Sequence, residues 1–366
     1  MKDILHLKNI LYSKKYGFII NQSVKDIELF IKHFTTKKDV EYNQIVKSPL
    51  VVIDTLHSCF VHGIVDSIFP LHWIINDIDE EEGTKQHYRV FVRKRHIEKY
   101  PDENLKNIDE EKSVFKGVYG ELMDLCTDQK IMFEHLLKED DVYLIKNVYF
   151  SKLESNNQPS LWNNGKHYPG RYKGKQIFTD LEIQRRYNLF LEEVVNFYEI
   201  KKDVTFKKRI VIIDRKTYYR SFKKTWLHND NITIDTNSEN HISLLDNLNH
   251  ILTKQEFLTY NGVKYLEDFS MKEQMELFIN NDIIVTPHGA NMVHSLWCNN
   301  KIIVEVLYDK EKAGMYKRLL SFTDNKLAQI SPYNIEEFLK LLIFRFKPQY
   351  TELREEPNDI EFVASV

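Results

Sequence analysis

Cysteine is scarce: Cys59, Cys126 and Cys298 are the three in 366 residues. Their odd number and wide spacing exclude a disulfide framework and the paired half-sites of structural zinc, so each reads as a buried, reduced thiol. Long apolar runs are also lacking. None approaches the roughly 20 residues that cross a bilayer, and no membrane span is expected. The first residues, Met1-Lys-Asp-Ile-Leu-His, mix in charge and lack the apolar core and cleavage site of a secretory leader, which makes a cytoplasmic location the expectation. No sign of charge dominates. A formal net charge of −3 offers no general attraction to nucleic acid, and the one dense basic cluster, Arg93-Lys94-Arg95, reads as a solvated strand end or loop. The absence of GxGxxG argues against nicotinamide or flavin chemistry. Gly165 and Gly170 have the spacing of a phosphate-binding P-loop, but Arg171 and Tyr172 stand where lysine and serine or threonine are required, which excludes a Walker nucleotidase.

What is present is a globular composition, 42% apolar and 29% charged, in a chain long enough for two domains and the cleft they imply. Short β-branched runs at Leu50–Ile53, Arg209–Asp214, Ile232–Ile234, Ile283–Thr286 and Ile302–Leu307 read as buried strands. Between them lie segments of helical period. Ser270 and Glu273 form a capping box that opens a helix running to about Asn281, with Met271, Met275, Phe278 and Ile279 as its apolar stripe. Strand and helix in alternation predict parallel α/β sheets. The amphipathic stretch Asp180–Tyr198 reads as a boundary helix. The expected domains are therefore 1–198, 199–331, and a closing helix and tail, 332–366, that packs back on the first domain.

Three segments could carry chemistry. In Asp282-Ile-Ile-Val-Thr-Pro-His288-Gly289-Ala290-Asn291-Met-Val-His294, a strand turns through small residues into a helix start, where free backbone N–H groups can meet an anion and glycine permits close approach. His288 or His294 could add a donor; the plain alternative is an ordinary strand-to-helix turn. In Arg209–Arg220 an apolar strand delivers Arg215 and Arg220 to the loop beyond its C-terminal end, where ligands of open α/β sheets bind and where the guanidinium fork suits a diphosphate. In Phe60–Trp73, His62 and Asp66 are four apart, one helical turn, so the pair could act as a general base, form a surface hydrogen bond, or begin a metal site for which no further ligands are apparent. Glu305 is a charge within a buried run and calls for either a ligand hydroxyl, such as a ribose diol, or an internal ion pair.

In order and spacing these segments resemble the glycosyltransferase 61 family. His62 to Pro70 resembles the histidine-acid segment of its first domain, Asp214 to Arg220 its arginine-bearing strand end, and Asp282 to Glu305 its His-Gly-Ala-Gly turn followed by a strand with glutamate, although Asn291 stands where the family usually has glycine. The resemblance implies a two-domain GT-B architecture of Rossmann-like α/β domains and an inverting transfer from a UDP-sugar, such as UDP-GlcNAc or UDP-xylose, to a glycan or glycoprotein acceptor. His62 or Asp66 would be the base, and Arg215, Arg220, His288, Gly289, Ala290, Asn291 and His294 the donor-phosphate site. Glu305 would take the ribose. No metal is obligatory, since the arginines and helix start neutralise the leaving diphosphate and no DxD-type motif is evident; Mg or Mn remains an option. The alternatives are a non-catalytic glycan- or nucleotide-binding module of the same fold, a sugar-nucleotide epimerase, or a phosphorylase. Abundant Lys, Ile and Asn suit an AT-rich microbial or viral genome.

Overall fold

A computed structural model describes residues 4–20, 34–37, 39–56, 63–83, 85–95, 108–109, 114–115, 118–151, 171–172, 175–176, 179–203, 207–214, 228–229, 232–233, 239–307 and 316–346. The chain divides into two compact units, Met1–Phe197 and Tyr198–Val366. Both combine helices with sheets that contain parallel strands. Among the described residues no helix is long and apolar enough to cross a membrane.

The first unit is built on strands β1 (Ile4–Ser13), β2 (Gly17–Ile20), β3 (Phe34–Thr36), β4 (Gln44–Val46), β5 (Leu50–Leu56), β6 (Arg89–Arg95), β7 (Met132–Phe133) and β8 (Val142–Ser151). Their order is β3-β2-β1-β8-β5-β6-β7, with β4 also paired to β8. β8, β5, β6 and β7 run parallel, whereas β1 is antiparallel to both β8 and β2. The sheet is therefore mixed, where a Rossmann-like one was expected. The cause is local: three residues join β1 to β2, Gly17 takes a left-handed φ of 71°, and so short a connection permits only a hairpin. Tyr12, Phe18, Phe91 and Phe150 meet edge to face in the core beneath.

After β5 the chain enters a π-helical turn, Ile64–Ile68, in which the N–H of Phe69 reaches back five residues to the Ile64 carbonyl. Helix α1 (Phe69–Glu82) continues from it, with Pro70 in its first turn and Gly83 closing it at φ 68°. Helix α2 (Val118–Asp124) is short, and α3 (Asp180–Phe197) matches the expected boundary helix. α1 and α3 are joined by partly buried polar contacts. His72 Nε2 lies 2.8 Å from Glu193 Oε2, Arg186 bonds Asp77, and the Phe190 ring meets both Phe69 and His72. His72 holds the Glu193 carboxyl below its ordinary range against the opposing effect of burial.

The second unit comprises β9 (Lys208–Asp214), α4 (Glu239–Thr253), β10 (Leu258–Tyr265), α5 (Met271–Ile279), β11 (Ile283–Pro287), β12 (Ile302–Val306), α6 (Lys317–Leu320), β13 (Lys326–Ile330) and α7 (Ile335–Phe346). The five strands are all parallel in the order β10-β9-β11-β12-β13. Numbered along the chain this is 2-1-3-4-5, a doubly wound order whose topological switch lies between β9 and β11. Ile232–Thr233, expected as a buried strand, instead forms a two-stranded antiparallel ribbon with His228–Asn229, outside this sheet.

Both faces of the sheet are covered, which is why its central strands read as continuous apolar runs. On one face Ile210, Ile212, Ile283, Val285, Val304 and Val306 share a core with Leu248 and Leu252 of α4 and with Ile335, Leu339, Leu342 and Ile343 of α7. The closing helix, expected to pack back on the first domain, thus buries its main apolar stripe in the second. Helix α5 begins with the anticipated capping box: Ser270 N–H donates to Glu273 Oε2 at 2.7 Å, and Ser270 Oγ accepts the Glu273 N–H at 3.4 Å.

Candidate functional site

In an open parallel sheet the loops after the strands on either side of the switch diverge, and a cleft opens at their C-terminal ends. Here those strands are β9, ending at the buried Asp214, and β11, every residue of which is buried. Beyond Pro287 the ladder persists for one more bond, as His288 N–H donates to the Val306 carbonyl at 3.0 Å. Gly289 then takes φ 138° and ψ −161°, a region open essentially to glycine alone. The helix expected after this turn is a 3₁₀ helix, Ala290–Trp297. Its first turn is fastened by Met292 N–H on the Gly289 carbonyl at 3.0 Å, and the amides that open it have no partner within the helix. A β-carbon at 289 forces the backbone out of this geometry. Gly289→Ala is expected to cost about 1–3 kcal/mol, measured as a loss of unfolding free energy in urea; undiminished stability would show that the turn does not depend on this backbone.

His288 stands at the edge of the turn, one-fifth exposed, with Nδ1 2.6 Å from Glu305 Oε1. Its ring meets Tyr316 edge to face at 5.3 Å. Glu305 lies on β12 directly opposite Gln329 of β13, whose Nε2 donates to Glu305 Oε2 at 2.8 Å. Glu305 has no exposed surface, and both its oxygens are occupied by protein. It therefore does not present a carboxylate to a ribose, as the sequence suggested. Its partners are the imidazole of the turn and an amide from the edge strand. Gln329 escaped the sequence reading because its strand is short and half-polar; only the register Glu305–Gln329 reveals it.

Asn291 falls inside the 3₁₀ helix, not in a left-handed conformation. Its Nδ2 is buried and carries no hydrogen bond, and the same holds for the Thr286 hydroxyl. Orphaned buried donors of this kind are rare in folded chains. Gly289 and Ala290 form the turn itself.

His294, expected beside His288 as a phosphate donor, is instead a core residue. Its ring is buried, Nδ1 accepts from the Trp297 indole at 3.2 Å, and Phe278 of α5 lies against it at 5.4 Å. Burial depresses its imidazolium to about 3, so it remains neutral and gives a phosphate no charge. Cys298 at the end of the same segment is a buried free thiol pushed up to about 12 by desolvation, and Cys126 is likewise buried and free.

Arg215, Arg220 and His62 lie outside the described residues. Arg215 follows Asp214 directly in sequence, and His62 precedes Gly63. Asp66 is at the centre of the π-helical turn, flanked by the buried Ile64, Val65, Ser67 and Ile68. This turn follows β5, which lies between β8 and β6 and is parallel to both, so it stands at the C-terminal end of a parallel strand.

Among known protein families, the one described as Glycosyltransferase 61 matches residues 60–304. The match runs from just before the π-helical turn, through the switch of the second sheet, into β12. A comparison with curated proteins gave no match.

Proposed function

Because the chain belongs to the glycosyltransferase 61 family, we propose that this glycosyltransferase moves a sugar from a UDP-sugar, UDP-GlcNAc or UDP-xylose, to a hydroxyl of a glycan or glycoprotein, inverting the anomeric carbon to leave a β-linkage. The observation that carries the reading is the crown of the β9/β11 switch, where a glycine-only turn, the amides of a 3₁₀ start and His288 stand at the end of a parallel sheet. A diphosphate suits it, because charge that develops on the leaving oxygen is best met by donors already fixed in place.

In this reading Arg215 and Arg220, which follow β9 in the sequence, neutralise the diphosphate bidentately, the Gly289 turn contributes backbone N–H groups, and the two units form a GT-B pair with the acceptor on the first. His62 or Asp66 removes the acceptor proton as the hydroxyl attacks from the face opposite the diphosphate. The proton goes to that base, the new bond forms at the anomeric carbon, and UDP leaves with the bonding pair. A divalent metal is not obligatory.

The test is calorimetry with UDP, GDP, CMP and TDP, then the UDP-sugars, with and without Mg or Mn. UDP is expected to bind selectively without metal, and Arg220→Ala is expected to weaken it roughly 10- to 100-fold, the cost of about 1.5–3 kcal/mol for a charge-assisted pair. Unchanged UDP binding by Arg220→Ala would remove that residue from the site, and no nucleotide response would favour a non-catalytic binding module.

A further inference from the structure

Helix α7 buries one stripe and exposes another. Tyr333, in the 3₁₀ turn Pro332–Asn334 that leads into the helix, is followed by Glu337, Lys340, Leu341 and Phe344, the i, i+4, i+7, i+8, i+11 spacing of a single helical face. Ile335, Leu339, Leu342 and Ile343 occupy the opposite face, in the core of the second sheet. Tyr333 is 80% exposed, Leu341 61% and Phe344 72%, and Glu337 and Lys340 are exposed between them. Eight large apolar side chains are exposed among the described residues, and these are three of them. One such residue alone needs no explanation, but three in one stripe of a 12-residue helix and its leading turn mark an interaction surface.

The stripe is complementary to itself. When two copies of α7 run antiparallel about a two-fold axis that passes between Glu337 and Lys340, Glu337 of each copy faces Lys340 of the other. Tyr333 and Phe344 lie equally far on either side of that axis, so each Tyr333 faces the Phe344 of the other copy, and Leu341 flanks the central charges. Opposite charges thus meet at the centre and aromatic rings at both ends. A parallel pairing would instead set Glu337 on Glu337 and Lys340 on Lys340. We propose that α7 is the contact between two copies of this chain, an antiparallel two-fold helix pair in which the Glu337–Lys340 and Tyr333–Phe344 contacts each occur twice. The stripe is only about 17 Å long. It is therefore smaller than the roughly 800 Å² per partner of a standard stable interface, and the association is weak and reversible, in the micromolar range. None of the donor-site residues takes part, so the contact stands or falls apart from that reading.

The test is sedimentation velocity of the full chain from about 1 to about 500 μM, the span of small transient interfaces. The weight-average sedimentation coefficient should rise toward that of a dimer and no further, because a two-fold contact closes on itself. Glu337→Lys surrounds the axis with four cations and Lys340→Glu with four carboxylates, and each should raise the dimer Kd by roughly tenfold or more. The double exchange, Glu337→Lys with Lys340→Glu, restores both pairs and should return the Kd to within about threefold of native. Phe344→Glu should leave a monomer with the native melting temperature, since its side chain is exposed. A native chain that stays monomeric across the range overturns the inference. A double exchange that associates no better than the single ones overturns the two-fold register and the inference with it. Phe344→Glu that melts earlier while associating as the native chain does would show the stripe to be covered within its own chain, which overturns it equally.

Discussion

Asp66→Asn and His62→Gln are expected to separate sharply: one of the two should lower kcat by about 10²–10⁴-fold, the usual contribution of a positioned general base, while UDP binding stays near the native value. The other should have a smaller effect, through orientation of the first. The expectation follows from position. The segment follows β5, a parallel strand of the first sheet, and Asp66 sits in a π-helical turn, a local widening found disproportionately at functional sites. Neighbouring Ile64, Val65 and Ile68 have no exposed surface, so the turn is anchored by packing on both sides of the acid. A fall in kcat with unchanged UDP affinity is the signature of a group that acts on the acceptor in the transition state and not on the bound nucleotide. Steady-state rates with a UDP-sugar and a hydroxyl acceptor, beside UDP calorimetry for each variant, read this out. If both variants kept native kcat, the base would have to be sought outside this segment.

The second sheet was legible at its centre and obscure at its edges, for a physical reason. β9, β11 and β12 are covered on both faces, so they appear in the sequence as the β-branched runs Ile210–Ile213, Ile283–Val285 and Ile302–Val304, and each strand lies within a residue or so of its expected bounds. β10 and β13 have one side open and carry polar residues, as in Leu258-Thr-Tyr-Asn-Gly-Val-Lys-Tyr and Lys326-Leu-Ala-Gln-Ile, and neither stood out. In β10, Gly262 at φ 77° accompanies a register shift against β9 that breaks the alternation further. The first sheet was harder to read because β1 and β8 pair across more than a hundred residues, and local periodicity carries no trace of such a partner.

Helix α7 misled for a related reason. Leu341 and Phe344 are 61% and 72% exposed, so the helix is apolar beyond its buried stripe, and sequence alone does not say which face meets which sheet. At the candidate site, Gly289 and His288 were recognisable because strand, turn and helix start are contiguous. Glu305 was recognisable as anomalous, but its role was not, because its two partners come from residues 17 and 24 positions away. A buried charge announces that it needs a partner, and only the sheet register names it.

His294 gives the second large effect, one on stability. Its imidazolium is depressed to about 3 in the folded chain by desolvation, against about 6.5 when unfolded. Above pH 6.5 both states are neutral and the residue is without penalty. Below it the unfolded chain takes up a proton that the folded chain refuses, so stability present above pH 6.5 is lost as pH falls toward 3. The slope is about 1.4 kcal/mol per pH unit once the unfolded group is fully protonated, which amounts to about 2 kcal/mol at pH 5. His294→Gln preserves an acceptor for the Trp297 indole and removes the titration. The variant is expected to be less stable than the native chain at pH 8, because the imidazole packs against Phe278, yet to lose much less on acidification. Urea unfolding at pH 8, 6.5, 5.5 and 5 measures both. Parallel losses in the two proteins across that range would mean that His294 is protonated in the folded state and that the core around Trp297 admits water, whereas convergence of the two curves toward pH 5 identifies a buried neutral histidine as a principal source of the acid lability of the second unit.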